Sequence, residues 1–495
     1  MCNSVIRHVS PESVGIRSEA IEAYIHRLES LGSVTHSLIL ARGNHIFFEH
    51  YWEPFDREFL HRMYSVTKSF VSLAIGFLVQ DGCIDLDDPI SKYFAEDLKG
   101  QPDPNIHNQT IRHMLMMSTA KIAPYWFNTK PTDRVREYFQ NPSPISRPSG
   151  TIFEYDSTGS FIMGALVERI TGKSLMDYLQ EKLFKEIGVS ERAYMLKCPG
   201  GHSWSDSALV ARTMDLFLTA RFVLNGGSWN GKQLLNADYI RAATSKQIDN
   251  NFQNMQRYDT QGYGYQFWMT YQDSFCFNGM GAQFAICVPK QDLILVINAD
   301  NQGKERLYED IFSGFFELIV NPAADPLPEN TAAQASLQEY AKTLKLAAVA
   351  GDTESEWMAR VHGVTYRMGS NPMGITRLKL TFADGKGCLS YTNAQGDKEL
   401  FFGMGYNEFG LFPQEGYADQ IGTVYAPGNY YRCAASAAWV NPGHLRLFVQ
   451  IIDQYFGTLS INLSFRDNVV GLYMTKVAED FLQEYYGYAG GTAEQ

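Results

Sequence analysis

Apolar strand runs stand near the start of this chain and again far downstream, with a long helical stretch between them, and that order constrains the fold more than any other feature. Ser37–Ala41 and His45–Glu49 are short apolar runs joined by Arg42-Gly43-Asn44, which reads as a hairpin. Gln283–Val288 and Leu293–Asn298, joined by Pro289-Lys290-Gln291-Asp292, read the same way. Most of the intervening sequence is helical in pattern. Phe161–Ile170 stops at Thr171-Gly172, and Leu175–Phe184 stops near Gly188. Strand character resumes at Gly262–Met269. A first helix is expected in residues 13–35, with Ile21, Tyr24, Ile25 and Leu28 at helical spacing, and a later one over Arg306–Val320. Strands, many helices, strands and a helix imply an α+β domain. Its antiparallel sheet is completed from both ends of the segment, flanked by helices, and interrupted by a helical insert.

The stretch Asn321–Asn330 carries Pro322, Pro326 and Pro328 among polar residues and reads as a break. The expected division is therefore a first domain over 1–322, a linker over 323–334, and a β-rich accessory domain over 335–495. A helix from about 333 to 348 is expected where that last region begins. Beyond it, Arg377–Phe382 alternates and then turns at Asp384-Gly385, and Leu445–Ile451 and Thr458–Phe465 alternate in the same way. That pattern implies an antiparallel sandwich or barrel.

With 42 Lys+Arg against 54 Asp+Glu, the net charge of −12 argues against nucleic acid or an anionic membrane surface as partner. No run reaches the apolar length of a membrane span, and the opening Met1–His8 does not resemble a secretory leader, so a cytoplasmic protein is expected. The seven cysteines are odd in number, scattered, and form no C-x-x-C, which fits reduced thiols. The histidines give no metal-ligand spacing, and no metal or other cofactor is expected.

Chemistry enters at Met63-Tyr64-Ser65-Val66-Thr67-Lys68, just before the apolar run Phe70–Leu78. If that run is helical, Ser65 and Lys68 share one face of its first turn. A serine hydroxyl needs a neighbouring base, a buried lysine can lose its charge to become one, and a helix N-terminus favours a developing oxyanion. The pattern alone is weak, because a second copy, Ser118-Thr119-Ala120-Lys121, sits at the expected end of a helix and reads as a decoy.

Two further segments support Ser65. Tyr155, on the loop before the helix that begins near Ser160, could exchange protons with Ser65 or a leaving group, since a nearby lysine favours phenolate. Ser157 could join the same hydrogen-bond network. The segment Phe277-Asn278-Gly279-Met280-Gly281-Ala282-Gln283 opens a strand with small residues that let a carbonyl approach closely. An N–H of Met280 or Gly281, with that of Ser65, would form an oxyanion hole. Trp126 and Trp268 are candidates to line the substrate cleft.

Ser65-Val66-Thr67-Lys68, then Tyr155-Asp156-Ser157, then a glycine-rich strand edge resemble the serine β-lactamase and penicillin-binding-protein superfamily. Leu78–Ile90, Thr110–Ser118, Asn225–Lys232 and Gly262–Tyr265 resemble further landmarks, so the likeness covers roughly residues 10–320. It is nearest to the class C β-lactamase-like esterases and the 6-aminohexanoate-dimer hydrolases, whose Tyr-x-Ser form Tyr155-Asp156-Ser157 shares. No lysine or histidine stands in Phe277–Gln283, so the cation that would hold a β-lactam carboxylate is missing. The resemblance implies a β-lactamase/transpeptidase-like domain that cleaves an ester or amide of a small molecule through an acyl-enzyme on Ser65. A D-amino-acid peptidase or amidase of the same superfamily, and a catalytically inactive binding or scaffold protein, are the alternatives. Copies of the chain could also associate through the C-terminal domain.

Overall fold

The computed structural model describes residues 5–121, 133–140, 146–251, 256–418 and 425–494. They form two compact units, residues 1–345 and 346–495.

The first unit is built on a seven-stranded sheet. In chain order its strands are β1 (Arg7–His8), β2 (Thr35–Arg42), β3 (His45–Tyr51), β4 (Trp268–Thr270), β5 (Ser274–Gly279), β6 (Gln283–Val288) and β7 (Leu293–Ala299). Their spatial order is β1-β3-β2-β7-β6-β5-β4, so the N-terminal hairpin joins the late strands through β2 and β7. Every pair is antiparallel except β1 with β3. Every residue of β6 and β7 is buried, because helices cover both faces of the sheet.

On one face pack α1 (Ser18–Ser30) and a later helix, Arg306–Phe315. Their apolar stripes, including Tyr24, Ile25, Leu28, Ile311, Phe312 and Phe315, share a core with Leu38, Leu40, Phe284, Ile286 and Leu295. The other face carries α2 (Thr67–Gln80), α3 (Ser157–Thr171) and α4 (Thr213–Leu224), with α4 directly on β2, β6 and β7. Among the described residues, no helix is long and apolar enough to cross a membrane, and no group of three or more His, Cys, Asp or Glu could hold a metal ion.

Two sequence expectations shift. Only the end of the run Gly262–Met269 becomes a strand. Gly262 (φ 120°) and Gln266 (φ 63°) take left-handed backbone, and the Tyr265 and Gln266 N–H groups donate to the Ala243 and Leu115 carbonyls instead of to a neighbouring strand. The apolar run is thus a buried turn tied to helices. Likewise, the boundary falls at Lys345/Leu346 rather than in 323–334. The helix Thr331–Ala341 packs against α1, and Leu337, Ala341 and Leu344 belong to the first unit's core.

The second unit is a barrel. Its strands are β8 (Thr365–Met368), β9 (Arg377–Ala383), β10 (Lys386–Asn393), β11 (Gly396–Met404), β12 (Glu408–Gly416), β13 (Ala426–Asn441), β14 (His444–Ile452), β15 (Phe456–Arg466), β16 (Val469–Ala478) and β17 (Gly487–Ala493). The ring runs β11-β10-β9-β8-β17-β16-β15-β14-β13 and closes where β13 pairs with β11; β12 flanks β13. The closing pair is parallel (Gly403↔Ser436, Met404↔Ala437), unlike the antiparallel pairs elsewhere in the ring. Leu445, Leu447 and Val449 stand opposite Leu463, Ile461 and Leu459, and the first two of these partners stand opposite Leu472 and Met474. All are buried, so the strict alternation read in the sequence becomes stacked rows of apolar side chains on one face.

Candidate active site

The short strand His61–Arg62 runs into a 3-10 turn, Tyr64–Val66, that leads straight into α2. Tyr64 is buried and has φ 46°, a left-handed conformation unusual for a bulky residue. Neighbours hold it there. The Arg62 guanidinium lies 4.4 Å above its ring, the Thr67 hydroxyl donates to its carbonyl (2.6 Å), and the Met63 N–H donates to the Leu209 carbonyl (2.8 Å). This bend presents Ser65 at the head of α2, partly exposed, with no partner on its N–H among the described residues. One turn on, Lys68 is 2% exposed and donates to Ser65 Oγ at 2.8 Å and to the Asp206 carbonyl at 2.7 Å.

Tyr155 meets this pair. Its ring centroid lies 5.0 Å from Lys68 Nζ, within cation–π reach, and its other neighbour is Trp268, stacked at 5.5 Å and 29°. Trp268 packs edge-on to Phe153 and Tyr263, so the surroundings of Tyr155 on this side are aromatic. The approach of Tyr155 to the amine is through the ring face. Asp156 fixes the loop as the N-cap of α3. Its buried carboxylate accepts from the Gly159 N–H (3.0 Å), the Thr158 hydroxyl (2.6 Å) and the Thr119 hydroxyl (2.9 Å). Replacing Asp156 by Ala removes the cap and leaves the Thr158 hydroxyl without its acceptor, so urea unfolding should show a loss of about 2 kcal/mol.

The second Ser-x-x-Lys has a structural part in the same loop. Met117, just before it, accepts the Glu154 N–H on its carbonyl and the Asp156 N–H on its sulfur. Ser118 donates to the His113 carbonyl, whereas the Lys121 amine turns to the Tyr138 carbonyl and ring, so the two do not meet. Burial pushes the Lys121 amine down to about 8, with Asp156 opposing.

The third segment lies against the nucleophile turn. A Cβ added to Gly279 would stand 2.5 Å from the Met63 carbonyl and 3.2 Å from the Val66 nitrogen. Gly279→Ala must therefore push β5 away from Ser65, and kcat/KM should fall by about 10²-fold in a protein that still folds, as small misplacements of reacting groups do. Gln283, fully buried, pins the turn. Its amide donates to the Met280 and Ala299 carbonyls, and its oxygen accepts from Asn298 and from the Ala299 N–H. The Gly281 N–H is already engaged with the Tyr308 hydroxyl at 2.8 Å, which removes it as an oxyanion donor. The Met280 N–H has no partner among the described residues.

Ser65, Lys68, Tyr155 and Trp268 are thus joined by successive contacts, and the strand end at Gly279 lies against the turn that carries Ser65. Ser157 opens α3, and the Lys68 amine makes no hydrogen bond to it. Trp126 lies outside the described residues. Sequence reasoning missed Asp206, Arg62, Gln283 and Tyr308 as participants. Asp206 meets Lys68 through its backbone carbonyl and Arg62 meets Ser207 through its guanidinium, contacts between residues remote in sequence for which no motif exists. Only Gln283, closing the glycine-rich segment, carried a visible hint.

The chain is similar to several known proteins. The chain is 20% identical to the 6-aminohexanoate-dimer hydrolase of Paenarthrobacter ureafaciens over 308 residues, 58% of this chain and 78% of that one. It is 26% identical to the lovastatin esterase of Penicillium rubens over 155 residues, 26% of this chain and 38% of that one. Among solved structures, the octameric penicillin-binding protein homologue from Pyrococcus abyssi superposes with a TM-score of 0.50 at 14% identity, covering 96% of this chain and 99% of that one. The model of the family described as Beta-lactamase matches residues 22–312, more than half of the sequence, and the chain belongs to that family.

Proposed function

We propose that this protein is a serine hydrolase that cleaves an ester or amide bond of a small molecule through an acyl-enzyme on Ser65. The observation that carries the reading is the 2.8 Å hydrogen bond between a buried lysine amine and a partly exposed serine hydroxyl at a helix head. In the acylation step Ser65 Oγ attacks the substrate carbonyl as its proton passes to Lys68. The carbonyl electron pair moves onto oxygen, where the N–H groups of Ser65 and Met280 receive it. Collapse expels the leaving group, which takes a proton from the Tyr155 hydroxyl, and Lys68 returns one to the phenolate through water. Water then attacks the acyl carbonyl by the reverse sequence.

The aromatic wall of Tyr155 and Trp268 suits an apolar acyl or alcohol part. The strand edge Phe277–Gln283 offers no cation for a substrate carboxylate. That favours neutral esters and amides over β-lactams, and the names of the two relatives, an esterase and a dimer amide hydrolase, support both bond types. The test is a panel of p-nitrophenyl acyl esters, ω-amino-acid amides, D-amino-acid amides and a penicillin. The expected result is a burst of p-nitrophenol stoichiometric with enzyme, followed by steady turnover, and little acylation by the penicillin. Turnover confined to D-amino-acid amides would indicate a peptidase instead, and inertness to every member would indicate a binding protein.

A further inference from the structure

The Lys68 amine is gripped from two sides, and only one of them is Ser65. The other is the carbonyl of Asp206, in the turn that links the short strands Tyr194–Met195 and Leu209–Ala211. That turn is knitted to both sides of the nucleophile. Arg62, fully buried just upstream of Ser65, donates to the Ser207 carbonyl (3.2 Å) and lies 4.4 Å above the ring of Trp204. Downstream, the Leu209 N–H donates to the Thr67 hydroxyl (3.0 Å).

The side chain of Asp206 is 1% exposed, and neither carboxylate oxygen meets a donor at hydrogen-bond geometry among the described residues. The groups that face it are Lys68 from α2, Arg62 from the strand before Ser65, Arg134 from the helix Arg134–Gln140, the Cys198 thiol, and the Trp204 indole of its own turn. Burial pushes its carboxyl up to about 6, while Lys68, then the N–H groups of Asp206 itself and of the Trp204 indole, and Arg62 pull the other way. A buried carboxylate so poorly solvated opposes folding whenever it is ionised. Such a group beside the reacting amine is explained by what it does for the amine.

We propose that Asp206 is a positioning residue for the reaction at Ser65: its carbonyl fixes the Lys68 amine against the hydroxyl, and its buried carboxylate stabilises the ammonium form while Lys68 holds the transferred proton. The proton leaves Ser65 Oγ for Lys68 Nζ as the Oγ–C bond forms, and passes to the leaving group as the bond to it breaks, so no other reactant is needed. This rests on the Ser65–Lys68 reading above.

Ionised Asp206 is present above pH 6 and lost below it, so kcat/KM should carry an acid limb with its midpoint near 6. The stability effect has the opposite sign. A carboxyl whose folded-state pKa is raised contributes stability only while protonated, and that contribution is lost as the pH rises through 6. Asp206→Asn keeps the carbonyl and removes the charge. With p-nitrophenyl butyrate from pH 5 to 9, this variant should lose at least about tenfold in kcat at pH 8 with KM within about twofold, and its acid limb should flatten. It should also melt at a higher temperature than the wild type at pH 8, and equally at pH 4. A merely structural aspartate would lower the melting temperature instead. Unchanged kcat and limb, or joint loss of activity and melting temperature at pH 8, overturns the proposal. If the variant does not fold, a wild-type profile that is flat between pH 5 and 7 overturns it, and a limb near 6 supports it. Failure of the underlying reading looks different, because wild-type Ser65 would then escape labelling by a fluorophosphonate.

Discussion

Ser65→Ala is expected to abolish turnover of p-nitrophenyl butyrate, with a loss in kcat of about 10⁴-fold or more, and to remove the burst entirely. The reason is stereochemical as well as chemical. The left-handed Tyr64 and the 3-10 turn place this hydroxyl, partly exposed, at the head of α2, and the buried amine of Lys68 bonds it directly. Lys68→Met, similar in length and apolar, should cost nearly as much, because the serine would keep its proton. Joined in one chain, the two changes should cost little more than either alone, since groups that act as a unit are not additive. Stopped-flow release of p-nitrophenol on the three variants checks the cycle. Additive losses would mean that serine and lysine serve separate steps.

Tyr155→Phe should lower kcat by about 10³-fold on an amide substrate, within the range for general acid–base groups. The effect should be much smaller on a p-nitrophenyl ester, whose leaving group departs without protonation. The substitution leaves the ring in place. Its stack on Trp268 and its position over Lys68 should persist, and KM should change little. Comparing kcat on matched ester and amide substrates therefore separates proton delivery from wall-building. Equal losses on both would assign Tyr155 a role in activating Ser65 itself.

The first unit was legible because its sheet strands are continuous apolar runs with clear turns, and β2, β3, β6 and β7 occur where the pattern places them. Gly262–Phe267 was misread because buried turn and buried strand look alike in composition. What distinguishes them is left-handed backbone at Gly262 and Gln266, and hydrogen bonds to helices far away in sequence. The helix Thr331–Ala341 follows a proline-rich stretch, so its docking on α1 could not be read from punctuation alone.

The candidate site residues that carry motifs could be named from the sequence, and the residues that reach them only through tertiary contacts could not. Asp206 offers its carbonyl to Lys68, a role any residue could fill, so no side-chain pattern announces it. The Gly281 N–H is taken by a tyrosine hydroxyl from the helix Arg306–Phe315, a tertiary contact that local glycine-rich sequence cannot reveal.

The most direct measurement is peptide mapping after brief exposure to a fluorophosphonate, with intact mass read on the wild type and on Ser65→Ala. The account predicts a single adduct per chain, on the peptide containing Ser65, and none on the variant. An adduct on another residue, or an unlabelled wild type that still turns over esters, would contradict it.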